Sequence, residues 1–202
     1  MNASTLAALH KKMRACSRCL EAGYPATPGA VFSGPATARV MVVGQAPGVT
    51  EVTARRPFNA ASGGRLFRWL AQAGWDEDEF RTTQYMTAIT KCYPGKQPNA
   101  RSKGDRVPTV AEQKLCAPFL ERELEIVRPE LILPVGRLAV KRFVGPGKLA
   151  DLIGRVYEKN GRHVVPLPHP SGASLWLNRS ENRALVQQAL SHLQQLKRQL
   201  GL

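Results

Sequence analysis

The stretch RVMVVGQAPG, residues 39–48, contains an apolar segment that breaks into a loop of glycine and proline. Arg39 is followed by three valines and one methionine, which predicts a buried strand from Arg39 to Val43. The loop leads into RPFNAASGG, residues 56–64, where Ser62 is a suitable N-cap for a helix that ends at Gly74. A strand, a loop and a helix in this order often hold a ligand at the loop. A purely structural turn is the alternative.

The rest of the chain repeats the alternation of strands and helices. Thr109 and Glu112 form a capping box at the start of one helix, and the last helix begins at about Glu181. Such alternation predicts an α/β fold with a parallel sheet and helices on both faces, in a single domain over residues 1–202. Ligands then bind beyond the carboxyl ends of the strands. The further predicted strands are Tyr85–Thr90, Leu131–Val135 and Val164–Leu167.

The chain is strongly basic, with a formal net charge of +14 and a pI near 10.2. This charge favours a polyanionic partner, nucleic acid ahead of a membrane surface, while a solvated basic surface without a partner is the alternative. The first residues carry charges where a signal peptide needs an apolar core, and no run approaches the ~18 apolar residues of a membrane span. We expect a soluble, cytoplasmic protein.

The loop after the first strand matches neither common phosphate-binding signature. It lacks the third glycine of the dinucleotide fingerprint and the Gly-Lys-Ser/Thr end of the P-loop, so no nucleotide cofactor is expected. Gly44 and Gly48 allow close approach of the backbone. The exposed N–H groups of this loop are therefore available to an anionic or carbonyl oxygen.

The four cysteines are Cys16, Cys19, Cys92 and Cys116. One C-x-x-C pair with two distant cysteines is a pattern that can form a four-thiolate metal site. Unrelated buried thiols are the alternative, and spacing does not distinguish zinc from an iron-sulfur cluster.

Two loops have the residues of a nucleic-acid contact. His169 lies between two prolines and before Ser171, a rigid position from which an imidazole can face a ligand, although a lone histidine is more often structural. Leu175 follows on a basic loop, where an apolar side chain suits either a wedge between bases or a core contact. The loop from Cys92 to Pro108 is too long for a simple connector. Four of its side chains are predicted to contact phosphates: Lys96, Arg101, Lys103 and Arg106.

Together these segments resemble the uracil-DNA glycosylase superfamily, in particular its iron-sulfur-containing family 4 and family 5 branches. The resemblance implies a three-layer α/β/α fold with a central four-stranded parallel sheet, a 4Fe-4S cluster, and hydrolysis of the N-glycosidic bond of uracil or another deaminated base in DNA. Base-excision repair begins with this reaction. The segments that carry the resemblance are CSRC (16–19), GQAPGVTE (44–51), RPFNAASGGRLFRWL (56–70), YMTAITKC (85–92), Cys116 and PHPSG (168–172).

The resemblance also assigns roles to residues. The four cysteines match the cluster ligands, Phe58 matches the ring on which the extruded base stacks, and His169 matches the histidine that stabilises the departing base. Backbone N–H groups near Gln45 and Ala46 would add to this stabilisation. Asn59 and Ala88 complete the base-binding set, and the predicted DNA contacts include Ser62, Ser171 and Leu175.

The acidic residue that family 5 has near the aromatic segment has no counterpart in FNAAS (58–62), and the chain departs from the family 4 pattern at two positions. Gln45 stands where family 4 has an acidic residue, and Ala88 stands where it has the asparagine that reads the base. Gln45 could orient a water molecule without deprotonating it, and Glu51 is the reserve catalytic candidate.

Three hypotheses follow. The first is a monomeric, nucleoid-associated glycosylase acting on DNA that contains uracil or other deaminated bases, with no membrane partner. The second is a protein of the same fold that holds DNA or a flipped base without hydrolysis. The third is a zinc-containing basic protein without a base pocket.

Overall fold

The computed structural model describes residues 2–97, 104–171 and 175–202. Within these ranges one sheet contains five strands in the order β2-β1-β3-β5-β4. All neighbouring strands are parallel except the β4–β5 pair, which is antiparallel. The strands are β1 (Val40–Gly44), β2 (Tyr85–Ala88), β3 (Leu131–Pro134), β4 (Tyr157–Lys159) and β5 (Arg162–Val164).

Helices cover both faces of the sheet, and this explains why the central strands are apolar without alternation. Val40 and Val42 of β1 belong to one core, whereas Met41 and Val43 belong to the other. The helices are α1 (Asn2–Arg14), α2 (Arg18–Glu21), α3 (Val49–Ala54), α4 (Ala61–Gln72), α5 (Glu77–Thr83), α6 (Val110–Val127), α7 (Arg137–Phe143), α8 (Leu149–Leu152) and α9 (Ser180–Leu200), with a 3-10 turn at Leu175–Asn178.

The two cores complete a three-layer α/β/α arrangement, which confirms the predicted fold class. Helices α4, α5 and α9 supply apolar side chains to the core on one face of the sheet. Helices α1 and α6 supply them to the core on the other face. None of the helices in the described part of the chain is both long and apolar enough to span a membrane.

The sheet has five strands instead of the four expected, because the chain forms a short antiparallel hairpin, β4–β5, at one edge. Its outer strand, Tyr-Glu-Lys, has one half-buried and two exposed residues and no apolar run. The predicted strand Val164–Leu167 is also shifted. Regular pairing of β5 ends at Val164, and Pro166 and Pro168 have no N–H to continue it. Single hydrogen bonds still join this segment to β3, from the N–H of Val165 and of Leu167 to carbonyls 3.0 and 2.9 Å away.

Two helix starts were predicted from capping residues, with different outcomes. The Thr109–Glu112 capping box is confirmed, because each side chain accepts the other residue's backbone N–H, at 3.2 and 2.7 Å. The prediction that Ser62 caps α4 is wrong. Ala60 is the N-cap residue, so Ser62 lies in the first turn of the helix with its side chain free to face the cavity described below.

Candidate active site

A cavity lies beyond the carboxyl ends of β1, β2 and β3, where a parallel α/β sheet usually binds its ligand. Its lining includes every predicted catalytic and base-binding residue except Asn59, and both polar and apolar atoms line it. The residues around it are Val31, Gly44, Gln45, Ala46, Pro47, Glu51, Pro57, Phe58, Ser62, Thr87, Ala88, Val135 and His169.

The Phe58 backbone is held in an unusual conformation at this cavity. Its φ of +52° lies in the left-handed region, which a residue with a side chain rarely adopts. Its N–H donates to Glu51 Oε1, and its carbonyl accepts from Arg81 Nη2 at 2.9 Å. The helix α4 also approaches closely, since a Cβ added at Gly63 would lie 1.8 Å from the Phe58 carbonyl oxygen. These contacts fix the direction in which the ring points.

Glycine at the end of β1 makes room for the aromatic ring. A Cβ added at Gly44 would lie 3.2 Å from Phe58 Cζ. The ring therefore lies against the backbone of β1 and forms one wall of the cavity. Ala88, at the end of the neighbouring strand, lies in the same lining.

Glu51 connects the loop after β1 with the loop that contains Phe58. Its Oε2 accepts the N–H of Gly48 at 2.6 Å, and its Oε1 accepts the N–H of Phe58. Burial raises the pKa of this carboxyl, although the two backbone donors act in the opposite direction. Both oxygens are thus engaged with backbone N–H groups, as expected of a residue that organises the two loops.

His169 is placed as a neutral imidazole. Its Nδ1 accepts the N–H of Ser171 at 3.2 Å, so the ring proton resides on Nε2. The surrounding protein desolvates the ring and lowers the pKa of His169, although the residue as a whole is exposed. The ring packs against Gly136, where an added Cβ would lie 3.3 Å from Cδ2. The side chain therefore offers one N–H donor at the cavity.

A second cavity forms the mouth of the site. It shares Gln45, Glu51 and His169 with the first cavity, among other residues. It adds residues from the stem of the long loop after β2 and from the loop after β5: Pro94, Gly104, Asp105, Arg106 and Ser171.

The remaining predicted residues lie in several places. Asn59 is exposed and lines neither cavity. Leu175 is 78% exposed on the 3-10 turn. Lys96 is exposed, with its Nζ 2.9 Å from Asp105 Oδ1. Arg101, Lys103 and Gly172 lie outside the described residues.

The contacts of Arg106 do not fit its predicted role as a phosphate contact. Its guanidinium donates to both oxygens of Glu112 and to the Pro94 carbonyl, and its side chain is only 15% exposed. It therefore holds the long loop against α6. The pattern of the sequence did not distinguish this internal arginine from its solvent-facing neighbours.

The role of Arg81 is also not indicated by the sequence pattern. Arg81 follows Glu77 by four residues, which suggests an ordinary pair on a helix surface, and that pair is present at 2.8 Å. Its two remaining nitrogens donate to the carbonyls of Pro57 and Phe58, each at 2.9 Å. Only the tertiary fold brings the helix α5 to this loop.

The four cysteines line one separate cavity, whose surface is mostly apolar. Cys16 follows α1, Cys19 lies in α2, Cys92 follows β2, and Cys116 lies in α6. Burial and then the charges of the neighbouring thiols raise the pKa of Cys92 to about 11. In the described part of the chain, no group of three or more His, Cys, Asp or Glu side chains is arranged to hold a metal ion as it stands.

The chemistry around this cavity fits an iron-sulfur cluster. The donors are four thiols, the ligand set that both iron-sulfur clusters and zinc accept. The N–H of Lys91 points to Cys116 Sγ at 3.3 Å. The buried hydroxyl of Thr90, in the same lining, has no hydrogen-bond partner among the described residues, and a sulfide or thiolate sulfur would give it one.

A buried ion pair connects the cysteine cavity with the first cavity. Lys91 Nζ donates to Glu123 Oε2 at 2.6 Å and to the Ala88 carbonyl at 2.6 Å. The two side chains are 2% and 0% exposed, and Tyr85 and Thr87 donate to the same carboxylate. The Lys91 side chain thereby holds the backbone of Ala88 in place.

Comparison with known proteins agrees with this geometry. The sequence profile of the uracil DNA glycosylase superfamily matches residues 31–194, which contain every residue that lines the first cavity. The chain belongs to the uracil DNA glycosylase superfamily. The resemblance noted from the sequence is therefore confirmed.

This superfamily member is similar to relatives of both predicted branches. The Type-4 uracil-DNA glycosylase of Pyrobaculum aerophilum is 32% identical over 155 residues, covering 76% of this chain and 68% of that protein. The Type-4 uracil-DNA glycosylase of Thermotoga maritima is 30% identical over 162 residues, covering 79% and 76%. The Type-5 uracil-DNA glycosylase of Pyrobaculum aerophilum is 32% identical over 152 residues, covering 68% and 63%.

Proposed function

We propose that this protein is a uracil-DNA glycosylase that starts base-excision repair by hydrolysing the N-glycosidic bond of uracil in DNA. The observation that carries the proposal is the shared cavity of Phe58 and His169, with a stacking surface and a neutral imidazole at the end of the sheet. Membership of the superfamily and the names of the relatives support the same activity. The proposed range of bases also includes hypoxanthine and xanthine.

The base must leave the duplex before it can react. Extrusion costs a few kcal/mol, and this cost favours an already mispaired base. Stacking on the Phe58 ring returns about 1–3 kcal/mol. Ala88 has no side chain beyond Cβ, so the wall at the end of β2 tolerates bases of different size.

The departing base carries negative charge as the bond to the sugar breaks. The Nε2–H of His169 is a preorganised donor for that charge, and backbone N–H groups near Gln45 and Ala46 are further donors. One such donor is typically worth about 3–4 kcal/mol. The Gln45 amide, half-buried between the two cavities, orients the attacking water.

The basic surface holds the DNA around this site. Ser62 and Ser171 line the mouth, and Lys96 pairs with Asp105 beside it. We propose that these three residues contact the backbone of the bound strand and that the exposed Leu175 inserts beside the flipped base. Arg101 and Lys103 stay predictions from the sequence. Each phosphate neutralised should contribute about 0.9 to the log–log salt slope for duplex DNA.

The four cysteines are proposed to hold a 4Fe-4S cluster with a structural role. When bound, the cluster supplies a cross-link between the α1–α2 region, the end of β2 and α6. A brown colour that persists through gel filtration would support it, whereas stoichiometric zinc in a colourless protein would refute it. The same column tests the proposal that residues 1–202 form one monomeric domain.

The function is tested by an excision assay with the cluster-loaded protein. Oligonucleotides that contain uracil, hypoxanthine or xanthine, single- and double-stranded, are incubated and then treated with alkali to cut abasic sites. We expect cleavage at uracil, and loss of that cleavage in His169→Ala. Salt-dependent binding of uracil-containing DNA with no released base would instead identify a binding protein of the same fold.

A further inference from the structure

Asp105 is a carboxylate at the mouth of the site with no role assigned so far. It lines the outer cavity together with Gln45, Glu51, Ser62 and His169. The inner cavity holds the base in the proposed function, so the outer cavity is where the attached sugar would lie. Among the described residues, Glu51 and Asp105 are the two acidic side chains in the lining of this mouth.

The backbone around Asp105 is firmly anchored. The Arg106 N–H donates to the Gly95 carbonyl at 2.8 Å, and the Gln97 N–H donates to the Gly104 carbonyl at 3.2 Å. Lys96 and Asp105 form an antiparallel bridge between these bonds. The Arg106 side chain holds this stem against α6 through Glu112. The carboxylate thus stands on a fixed stem and not on the loop tip.

The two oxygens of Asp105 have different environments. Oδ1 accepts the Tyr93 hydroxyl at 3.1 Å and the Lys96 ammonium at 2.9 Å. Oδ2 accepts no hydrogen bond from the described residues, and it faces the start of α3, 3.5 Å from where a Cβ of Gly48 would lie. One oxygen orients the carboxylate while the other is available to a ligand.

Glu51 does not offer a comparable oxygen. Both of its oxygens accept backbone N–H groups. Burial raises the pKa of Glu51, and the nearby negative charge of Asp105 adds to that rise. Gln45 is uncharged and accepts no proton. The observed contacts therefore favour Asp105 as the carboxylate that meets the substrate.

We infer that Asp105 is a catalytic residue of the proposed glycosylase, whose Oδ2 faces the sugar carbon and the attacking water. The bond from the sugar C1′ to the base nitrogen breaks with its electron pair on the base, leaving positive charge on the sugar that the carboxylate stabilises. The water oxygen then bonds to C1′. One water proton passes to Asp105 and on to solvent, and the anionic base takes one proton from solvent.

The inference rests on the proposed function, and the test separates the two. Single-turnover excision of uracil is measured for the cluster-loaded wild type, Asp105→Asn, and the control Asp151→Asn on α8, which removes one negative charge away from both cavities. We expect Asp105→Asn to reduce the rate at least 100-fold with unchanged affinity for uracil-containing DNA. The control should keep the wild-type rate.

Chemical rescue distinguishes a catalytic carboxylate from a structural one. Asp105→Ala leaves space where added formate can enter. Formate should raise the excision rate of this variant at least tenfold and leave the rate of Asp151→Ala unchanged. If Asp105→Asn destabilises the fold, Asp105→Glu replaces it. That variant keeps the charge beside Lys96 but misplaces the oxygen, and we expect at least a tenfold slower reaction at an unchanged melting temperature.

Each outcome decides the matter. A wild type that releases uracil together with an Asp105→Asn variant within threefold of it overturns the inference and leaves the proposed function intact. Failure of formate to rescue a folded, slow Asp105→Ala variant also overturns it. A wild type that binds but never releases uracil overturns both.

Discussion

Replacing Gly63 by alanine tests whether the position of the Phe58 ring controls activity. Gly63 lies in the first turn of α4, where its backbone touches the residue that forms the stacking wall. An added Cβ would lie 1.8 Å from the Phe58 carbonyl oxygen, and such contacts essentially never fall below 3.0 Å. The Phe58 backbone must therefore move by at least about 1.2 Å, or the helix must move by the same amount.

The size of the effect follows from that displacement. The same carbonyl accepts Arg81 at 2.9 Å, so the movement also breaks this bond. A misplacement of about 1 Å at a reacting centre can cost on the order of 100-fold in rate. We expect uracil excision by Gly63→Ala to fall by about that factor, while helix propensity opposes part of any loss in stability.

The neighbouring glycine gives a matched control. Gly64 is exposed, and a Cβ there would make only an ordinary contact with Arg68 at 3.7 Å. Gly64→Ala should raise the free energy of unfolding by up to about 1 kcal/mol without changing excision. Both variants are compared in single-turnover excision and urea unfolding. Wild-type excision by Gly63→Ala, or equal losses in both variants, would refute the reasoning.

Three further predictions concern charged and titratable groups. Lys91→Met leaves the Glu123 charge without its partner, so the free energy of unfolding in urea should fall by about 3–5 kcal/mol, and the added change Glu123→Leu should restore part of it. Because the pKa of His169 is lowered, its neutral form persists below pH 6.5. Protonation of Nδ1 would displace the Ser171 N–H that holds the ring, so single-turnover excision by the wild type should decline only at more acidic pH. Burial and Arg14 lower the pKa of His10 to about 4, so below about pH 6.5 the unfolded chain binds a proton that the folded chain does not. Thermal stability should decline as pH falls through that window, and less steeply in His10→Gln.

The layers of the fold were predictable because hydrophobic burial dictates them. Val40 to Val43 are buried on both faces of the sheet, and this produces the unbroken apolar run that the sequence displays. The edge hairpin was not predictable in the same way. Strand β4 has only three residues and no buried side chain, so its pairing depends on β5 and not on a pattern of its own.

The site was predictable where chemistry resides in the loops themselves. Gln45 and His169 lie in loops after strands, and a parallel sheet brings such loops together, while Phe58 lies between α3 and α4 in the segment that follows β1. The groups that hold them were not predictable. Arg81 holds the Phe58 loop through contacts between residues distant in sequence, and Asp105 joins the mouth of the site only in the folded chain. Both appear in the sequence as ordinary surface charges.

The central claim is that the shared cavity of Phe58 and His169 releases uracil from DNA. Its most direct measurement is the amount of free uracil released by the cluster-loaded protein from a uracil-containing oligonucleotide, quantified beside the abasic sites formed. The account predicts equal amounts of the two products, and their loss in His169→Ala. Intact DNA, under conditions in which the protein binds that oligonucleotide, would contradict it.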